Sequence, residues 1–170
     1  MSRASDKPPA RPAEVYWVPG PWPGRLGIVP RPRGGDWLAD EVRSWKQAGI
    51  DVVTSLLMPA EEVELDLRLE AARCRTEGVE HHSFPIPDRG VPHSRAGMAQ
   101  LVGRLDEALA GGKTVGVHCR QGLGRSSMLV ALLLVSRGID PIEAFRRIGS
   151  ARGATVPETT EQREWVLKAA

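Results

Sequence analysis

The sequence predicts an α/β domain with a mostly parallel central sheet and helices on both of its faces. Short apolar segments alternate with segments of helical spacing, which is typical of this class. Residues 50–57 are rich in β-branched and apolar side chains, as expected for a strand that is covered on both faces. Residues 128–135 are apolar all round a helix, which predicts a helix buried in the centre of the domain.

The first elements of the chain follow this alternation. Residues 16–18 and 26–29 predict two short strands, because each is apolar and Pro-Gly turns separate them. Asp36 is predicted to cap a helix with one apolar face, and Gly49 is predicted to end it. The covered strand at 50–57 then follows.

A charged segment and two adjacent histidines come next. Residues 59–76 predict a single helix, acidic in its first half and basic in its second, which suits the helix dipole. Cys74 lies on it without a glycine loop or a helix N-terminus nearby, so we interpret it as a packing residue. Residues 79–86 predict another strand, in which His81 and His82 point to opposite faces. We therefore assign these histidines no common metal and no chemical role.

The second half contains two strong helix starts. After a proline-rich loop at 85–92, Ser94 should cap a helix, and residues 114–117 predict the next strand. Asp140 is followed by proline and, three positions on, by glutamate, which indicates an N-cap and a first helical turn. A last helix is predicted to start near Thr159.

Length, charge and composition limit the classes of function. The 170 residues fit one domain, which we place at 14–170, after a polar, proline-rich tail at 1–13 that should be flexible. A net charge of +2 favours neither nucleic acid nor a membrane surface as a partner. Arginine outnumbers lysine, and alanine, glycine and proline are plentiful, which indicates a GC-rich bacterial genome.

The cysteines and the apolar runs point to a cytoplasmic location. Two cysteines are too few for the disulfide framework of a small secreted chain. The N-terminal residues lack the apolar core of a secretion signal, and no apolar run approaches the roughly 20 residues that cross a bilayer. A reducing cytoplasm, which keeps thiols free, is therefore the expected environment.

The loop between the strand at 114–117 and the helix that begins at Arg125 has the features of an anion site. Successive N–H groups of such a loop can point inward, and the helix adds unpaired N–H groups and the positive end of its dipole. Gly122 and Gly124 permit the positive φ angles that such a loop tends to need. Cys119 lies at the mouth of the loop, where this field stabilises a thiolate. Arg125 offers two parallel donors for the oxygens of a phosphate.

Residues 118–126, His-Cys-Arg-Gln-Gly-Leu-Gly-Arg-Ser, resemble the H-C-x-x-G-x-x-R-S/T signature of the cysteine-dependent protein phosphatases. The small dual-specificity branch is the most similar in size. The resemblance implies the fold of that superfamily, a cysteinyl-phosphate on Cys119, and phosphate binding by Arg120, Gln121, Gly122, Leu123, Gly124 and Arg125. A purely structural interpretation stands beside it, since cysteine is often a small buried hydrophobe and glycine-rich turns serve many folds.

A thiolate that attacks a phosphate ester also needs an acid, because an alkoxide is a poor leaving group. Asp88 lies about thirty residues before Cys119, in a loop with flanking prolines, and resembles the general acid of the dual-specificity branch. The simplest supplier of such an acid is a mobile loop. Alternatively, Asp88 is an ordinary turn residue after proline. Arg89 either contacts an anionic substrate or is a solvated surface residue.

Three further residues receive roles by resemblance. Ser126 would hydrogen-bond the sulfur and help it leave, although its position also suits a first-turn residue. His118 would stiffen the loop through imidazole hydrogen bonds. Gln162 would position the hydrolytic water as some relatives do, or would instead complete a capping box with Thr159.

The resulting prediction is a phosphomonoester hydrolase of the protein-tyrosine or dual-specificity class, without metal or cofactor, acting on phosphoproteins. One alternative is a phosphate-binding module or scaffold of the same fold that does not turn over. Another is a phosphatase of the same fold that acts on RNA 5′-phosphates or inositol phosphates. The sequence leaves open the preference between phosphotyrosine and phosphoserine, the partner and the oligomeric state.

Overall fold

The computed structural model describes residues 10–169 and contains one five-stranded sheet. The strands are β1 (Tyr16–Val18), β2 (Leu26–Ile28), β3 (Val52–Ser55), β4 (Glu80–Ser83) and β5 (Val115–His118). Their spatial order is β1-β2-β5-β3-β4. Only the β1–β2 pair is antiparallel, and the pairs β2–β5, β5–β3 and β3–β4 are parallel. The predicted mostly parallel sheet is confirmed.

Seven α-helices surround the sheet within the described residues. They are α1 (Leu38–Gln47), α2 (Pro59–Glu64), α3 (Glu70–Glu77), α4 (Arg95–Ala110), α5 (Arg125–Ser136), α6 (Pro141–Arg152) and α7 (Thr160–Leu167), and a short 3-10 turn (Gly35–Trp37) precedes α1. The start of α6 has the predicted form, since the Asp140 carboxylate accepts hydrogen bonds from the N–H groups of Ile142 and Glu143.

Helices cover both faces of the sheet, as predicted. One apolar cluster joins a face of the sheet to α4, α5, α6 and α7, and a second joins the opposite face to α1 and α3. The first ten residues of α5 are all buried, which confirms the central helix. Strand β5 lies between β2 and β3, so its carboxyl end opens at the middle of the sheet edge.

Two local predictions are wrong. Asp36 does not cap α1, because it lies inside the 3-10 turn and the N-cap position is Trp37, without a side-chain bond. Residues 59–76 do not form one helix, since α2 ends at Glu64 and α3 begins at Glu70. Asp66 between them has φ 55°, a left-handed conformation that interrupts the helix, and Leu67 is buried in the second cluster.

The predicted tail at 1–13 falls mainly outside the described residues. Its described part, residues 10–13, has neither helix nor strand, and Arg11 Nε lies 3.6 Å from Glu41 Oε1. Among the helices between residues 10 and 169, none is both long enough and apolar enough to cross a membrane.

Candidate active site

The loop from Cys119 to Gly124 connects β5 to α5 at the carboxyl edge of the sheet. Cys119 is only 3% exposed, and its Sγ accepts a hydrogen bond from the N–H of Gly122 at 3.1 Å. Gly122 has φ 74°, a conformation that is unfavourable for residues with a Cβ. The glycine therefore allows the loop to turn its N–H towards the sulfur.

Arginines outside the loop bind its carbonyl groups. Arg152 of α6 donates from Nη2 to the carbonyl of Gln121 and from Nε to that of Gly122, each at 3.1 Å. Arg31 donates to the carbonyl of Arg120 at 2.8 Å. The Gln121 carbonyl and the Gly122 N–H belong to one planar peptide, so a bond to one end directs the other end inward. The predicted inward orientation is present at this peptide.

Gly124 is required for a different reason from the predicted one. Its φ is −106°, so no left-handed conformation is involved. A Cβ at this position would lie 2.8 Å from Oε1 of Gln162 and 3.0 Å from Oε2 of Glu158. Glycine is needed here because side chains from the segment before α7 and from its first turn pack against the loop.

Arg125 is 2% exposed, and its two terminal nitrogens bind neighbouring side chains and backbone carbonyl groups. Its Nη1 and Nη2 bind the two carboxylate oxygens of Glu61 at 2.7 and 2.9 Å, and Nη1 also donates to the carbonyl of Ile86 at 2.9 Å. Burial by itself lowers the pKa of Arg125, but the Glu61 hydrogen bond and the nearby charges of Cys119, Glu61 and Asp88 raise it above the ordinary value. The guanidinium is thus a fixed cation beside Cys119.

Asp88 contacts the guanidinium of Arg125, although the side chain of Asp88 is 56% exposed. Its Oδ1 is 3.2 Å from Nη2 of Arg125. The turn that carries it is closed by a 2.8 Å bond from the Gly90 N–H to the Pro87 carbonyl. The thiol, the guanidinium and this carboxyl group therefore come together from two separate segments of the chain.

Glu61 was not identified from the sequence. It is the third residue of α2, where its carboxylate also accepts a 2.8 Å bond from the N–H of Met58. Burial raises the pKa of Glu61, but the bonds from Arg125 and Met58 and the charge of Arg125 hold it below its ordinary value. Proline at the first position of α2 and glutamate at the third indicate the start of a helix. This pattern does not indicate that Glu61 also binds Arg125.

A buried carboxylate, Glu70, supports the other end of the loop. Its Oε1 accepts from Nε2 of His118 at 2.5 Å and lies 3.3 Å from Nε2 of His81. Burial raises the pKa of Glu70, but the charge and hydrogen bond of His118 and the bond from His81 bring it to about 2. His81 thus joins a network that reaches the residue before Cys119, a contact that strand alternation alone could not indicate.

The remaining predicted site residues have distinct surroundings. Ser126 is fully buried, and its Oγ has no hydrogen-bond partner among residues 10–169. Gln162 forms the capping box with Thr159 and also donates from Nε2 to the carbonyl of Gly90 at 3.1 Å. Leu123 is partly buried against the main apolar cluster. Arg120 donates from Nη2 to Glu64 at 2.9 Å.

The surroundings of Cys74 differ from those of Cys119. It is fully buried in the second apolar cluster. Burial, and then the negative charge of Glu70, raise the pKa of its thiol to about 12. A thiol in such surroundings stays protonated and serves packing.

Known proteins resemble this chain. The family described as "Polymorphic toxin system, DSP-PTPase phosphatase" matches residues 29–139, a range that includes Asp88, Cys119 and Arg125. Protein tyrosine phosphatase PRL-1 of Leishmania major is 34% identical over an alignment of 108 residues that covers 58% of this chain and 60% of that protein. Cyclin-dependent kinase inhibitor 3 of Sus scrofa is 32% identical over 87 residues, 50% of this chain and 41% of that protein. The match thus spans about half of the length of these curated relatives.

Solved structures share the architecture over most of the chain. Tk-PTP in its active form is 31% identical with a TM-score of 0.70, and the match covers 85% of this chain and 90% of that one. Kinase associated phosphatase has a TM-score of 0.83 over 92% of this chain and 93% of its own. At 21% identity the second likeness concerns the fold alone.

Proposed function

Because this chain belongs to the DSP-PTPase phosphatase family of polymorphic toxin systems, we propose that it hydrolyses phosphomonoesters on proteins through a cysteinyl-phosphate intermediate. The proposal depends mainly on one observation: Asp88 Oδ1 lies 3.2 Å from Nη2 of Arg125. This contact is beside the loop in which the Gly122 N–H donates to the sulfur of Cys119. A nucleophile, an anion binder and a proton donor are the groups that this reaction needs.

In the first step the Cys119 thiolate attacks phosphorus in line with the leaving oxygen. The S–P bond forms, the P–O bond breaks, and Asp88 gives its proton to the departing oxygen. Arg125 and the inward N–H groups of the loop bind the equatorial oxygens, whose charge is stabilised without reorganisation because Glu61 already holds the guanidinium in place.

In the second step water hydrolyses the phosphocysteine. Asp88, now a carboxylate, removes a proton from the water as its oxygen bonds to phosphorus and the S–P bond breaks. The hydroxyl of Ser126 donates to the departing sulfur. Ser126 Oγ is buried and has no hydrogen-bond partner among the described residues, the sulfur of Cys119 included, so it is available to donate once charge develops on the departing sulfur.

The charges of the loop favour a substrate with a single phosphate. Of the variable positions 120, 121, 123 and 124, only Arg120 is cationic, and Glu64 pairs with it at 2.9 Å. A second phosphate, as in an inositol polyphosphate, would have to displace Glu64. A phosphorylated side chain of a protein makes no such demand, which supports a phosphoprotein over an inositol polyphosphate as the substrate.

The experiment is hydrolysis of p-nitrophenyl phosphate in the presence of EDTA. We expect turnover in the wild-type chain, none with Cys119→Ser, and retained binding of tungstate by that variant. Asp88→Asn should slow phenyl phosphate more than p-nitrophenyl phosphate, because the poorer leaving group depends more on its proton. Cys74→Ala, which alters a cysteine outside the site, should turn over normally.

Two results would contradict the proposed hydrolysis, and a third would contradict the proposed substrate class. Unchanged activity in Cys119→Ser would remove the nucleophile, and tungstate binding without any wild-type turnover would leave only a binding module. Phosphotyrosyl and phosphoseryl peptides, a 5′-phosphorylated RNA and inositol phosphates, compared by kcat/KM, test the substrate class. A preference for either of the last two would refute the assignment to phosphoproteins.

A further inference from the structure

The residue after Asp88 forms a contact that the proposed reaction does not use. Arg89 has φ 59°, an unfavourable left-handed conformation for a residue with a side chain. Its Nη1 lies 3.1 Å from Oε1 of Glu158, which is 69 positions away in the segment before α7. The turn that carries the proposed acid is therefore joined to a distant part of the chain by an ion pair.

The same segment contacts that turn a second time. The amide of Gln162 donates to the carbonyl of Gly90 at 3.1 Å, while its oxygen accepts from the N–H of Thr159. Gln162 is fully buried, and both it and Glu158 pack against Gly124 of the catalytic loop. One structural unit thus touches both the turn of Asp88 and the end of the loop that holds Cys119.

We propose that Arg89 and Glu158 are positioning residues, whose ion pair holds the turn so that Asp88 stays over Arg125. The inference rests on the proposed function, because it gives these two residues a part in the same reaction. Neither of them touches the sulfur. Both act through the backbone of residues 87–90, and the pair makes up for the unfavourable conformation at Arg89.

The placement favours this role over that of a solvated surface arginine. Asp88 is more than half exposed, and the one hydrogen bond of its side chain among the described residues is the contact with Arg125. A turn with so few side-chain anchors takes its position from its neighbours. Two contacts hold it: the side chain of Arg89 binds Glu158, and the carbonyl of Gly90 accepts from Gln162.

The test is a double-mutant cycle with Arg89→Ala, Glu158→Ala and the double variant. With phenyl phosphate, each single variant should lose roughly fivefold in kcat, the size expected for one partly exposed ion pair. With p-nitrophenyl phosphate, which needs little protonation, the loss should be under about twofold. The double variant should be no slower than the slower single variant, because one contact is lost in all three.

A control variant is Glu143→Gln, which removes the ion pairs of Glu143 with Arg146 and Arg147 on the surface of α6. It should leave both rates unchanged. Losses that add in the double variant, equal losses with both substrates, or no loss at all would each overturn the proposal.

A second measurement is independent of turnover. Hydrogen exchange of the Gly90 amide, which bonds to the Pro87 carbonyl, should be faster in both single variants than in the wild-type chain. Unchanged exchange would overturn the positioning role even if the wild-type chain were inactive. Absence of wild-type turnover with faster exchange would refute the proposed function and leave the ion pair established.

Discussion

Glu61 and Glu70 lie nine positions apart, yet their carboxylates bind Arg125 and His118, which flank the loop that contains Cys119. On one continuous helix, nine residues correspond to about two and a half turns, so the two side chains would face opposite directions. The interruption at residues 65–69 removes this restriction. The break between α2 and α3 therefore allows one acidic region to support the loop at both ends.

Removal of the charge of Glu61 tests the support of Arg125. In Glu61→Gln we expect the free energy of unfolding to fall by about 3 kcal/mol, because a buried guanidinium loses its charged partner. Tungstate should stabilise this variant more than it stabilises the wild-type chain, since the bound anion supplies the missing charge. Urea unfolding with and without tungstate measures both effects.

The matched control for this experiment is Glu64→Gln. Glu64 belongs to the same helix and pairs with Arg120, but it is exposed, so water already screens the interaction. The free energy of unfolding should stay close to that of the wild-type chain. Equal stability of the two variants would show that Glu61 does not hold the cation.

Glu70 predicts a pH dependence of stability. Its pKa is about 2 in the folded chain against an ordinary 4.5. A carboxyl group with a lowered pKa stabilises the fold above its unfolded value, and this contribution is lost as the pH falls through the folded value. Between about pH 5 and pH 2, the wild-type chain should therefore lose up to about 3 kcal/mol through this group.

Glu70→Gln should lack this part of the pH dependence, so its stability curve should approach the wild-type curve as the pH falls. Acid titration of urea midpoints measures the difference. Glu143→Gln is the control. Its partners Arg146 and Arg147 lower the pKa of Glu143, but solvent screens these exposed ion pairs, so its stability curve should stay nearly parallel to the wild-type curve. Parallel curves for Glu70→Gln and the wild-type chain would contradict the prediction.

Gly124→Ala tests the packing of the loop against α7. The added Cβ would lie within 3.0 Å of Gln162 and Glu158, so those side chains must move. We expect the free energy of unfolding to fall by about 1–2 kcal/mol, as in other overpacked sites. Because Gln162 also binds Gly90, hydrolysis of phenyl phosphate should slow as well.

Gly103→Ala gives the opposite expectation at a site in α4. A Cβ there meets no atom within 4 Å, so alanine should raise the free energy of unfolding by about 0.5–1 kcal/mol. Chemical unfolding of the two variants under the same conditions makes the comparison. A loss of stability in Gly103→Ala, or none in Gly124→Ala, would contradict the packing argument.

Local patterns in the sequence were sufficient for the catalytic segment. The strand before Cys119, the turn and the apolar helix after Arg125 follow from short-range periodicity, and so does the capping box at Thr159. The partners of Arg125 and His118 did not follow, because Glu61 and Glu70 come from a charged stretch whose pattern is that of one exposed helix. Asp66 has a left-handed conformation where the helix is interrupted, and the next residue, Leu67, is buried in the second cluster, a tertiary contact that no local pattern contains.

Arg152 acts on the catalytic loop from behind. By binding the carbonyl of Gln121, it fixes the orientation of the peptide whose Gly122 N–H bonds to the sulfur, and it binds the carbonyl of Gly122 as well. An incoming oxyanion consequently meets dipoles that are already aligned, so little of its binding energy is spent on rotating the backbone. Cζ of the same guanidinium lies 4.1 Å from the centre of the Tyr16 ring in β1. Arg152 therefore connects the antiparallel edge of the sheet to the orientation of the loop that contains Cys119.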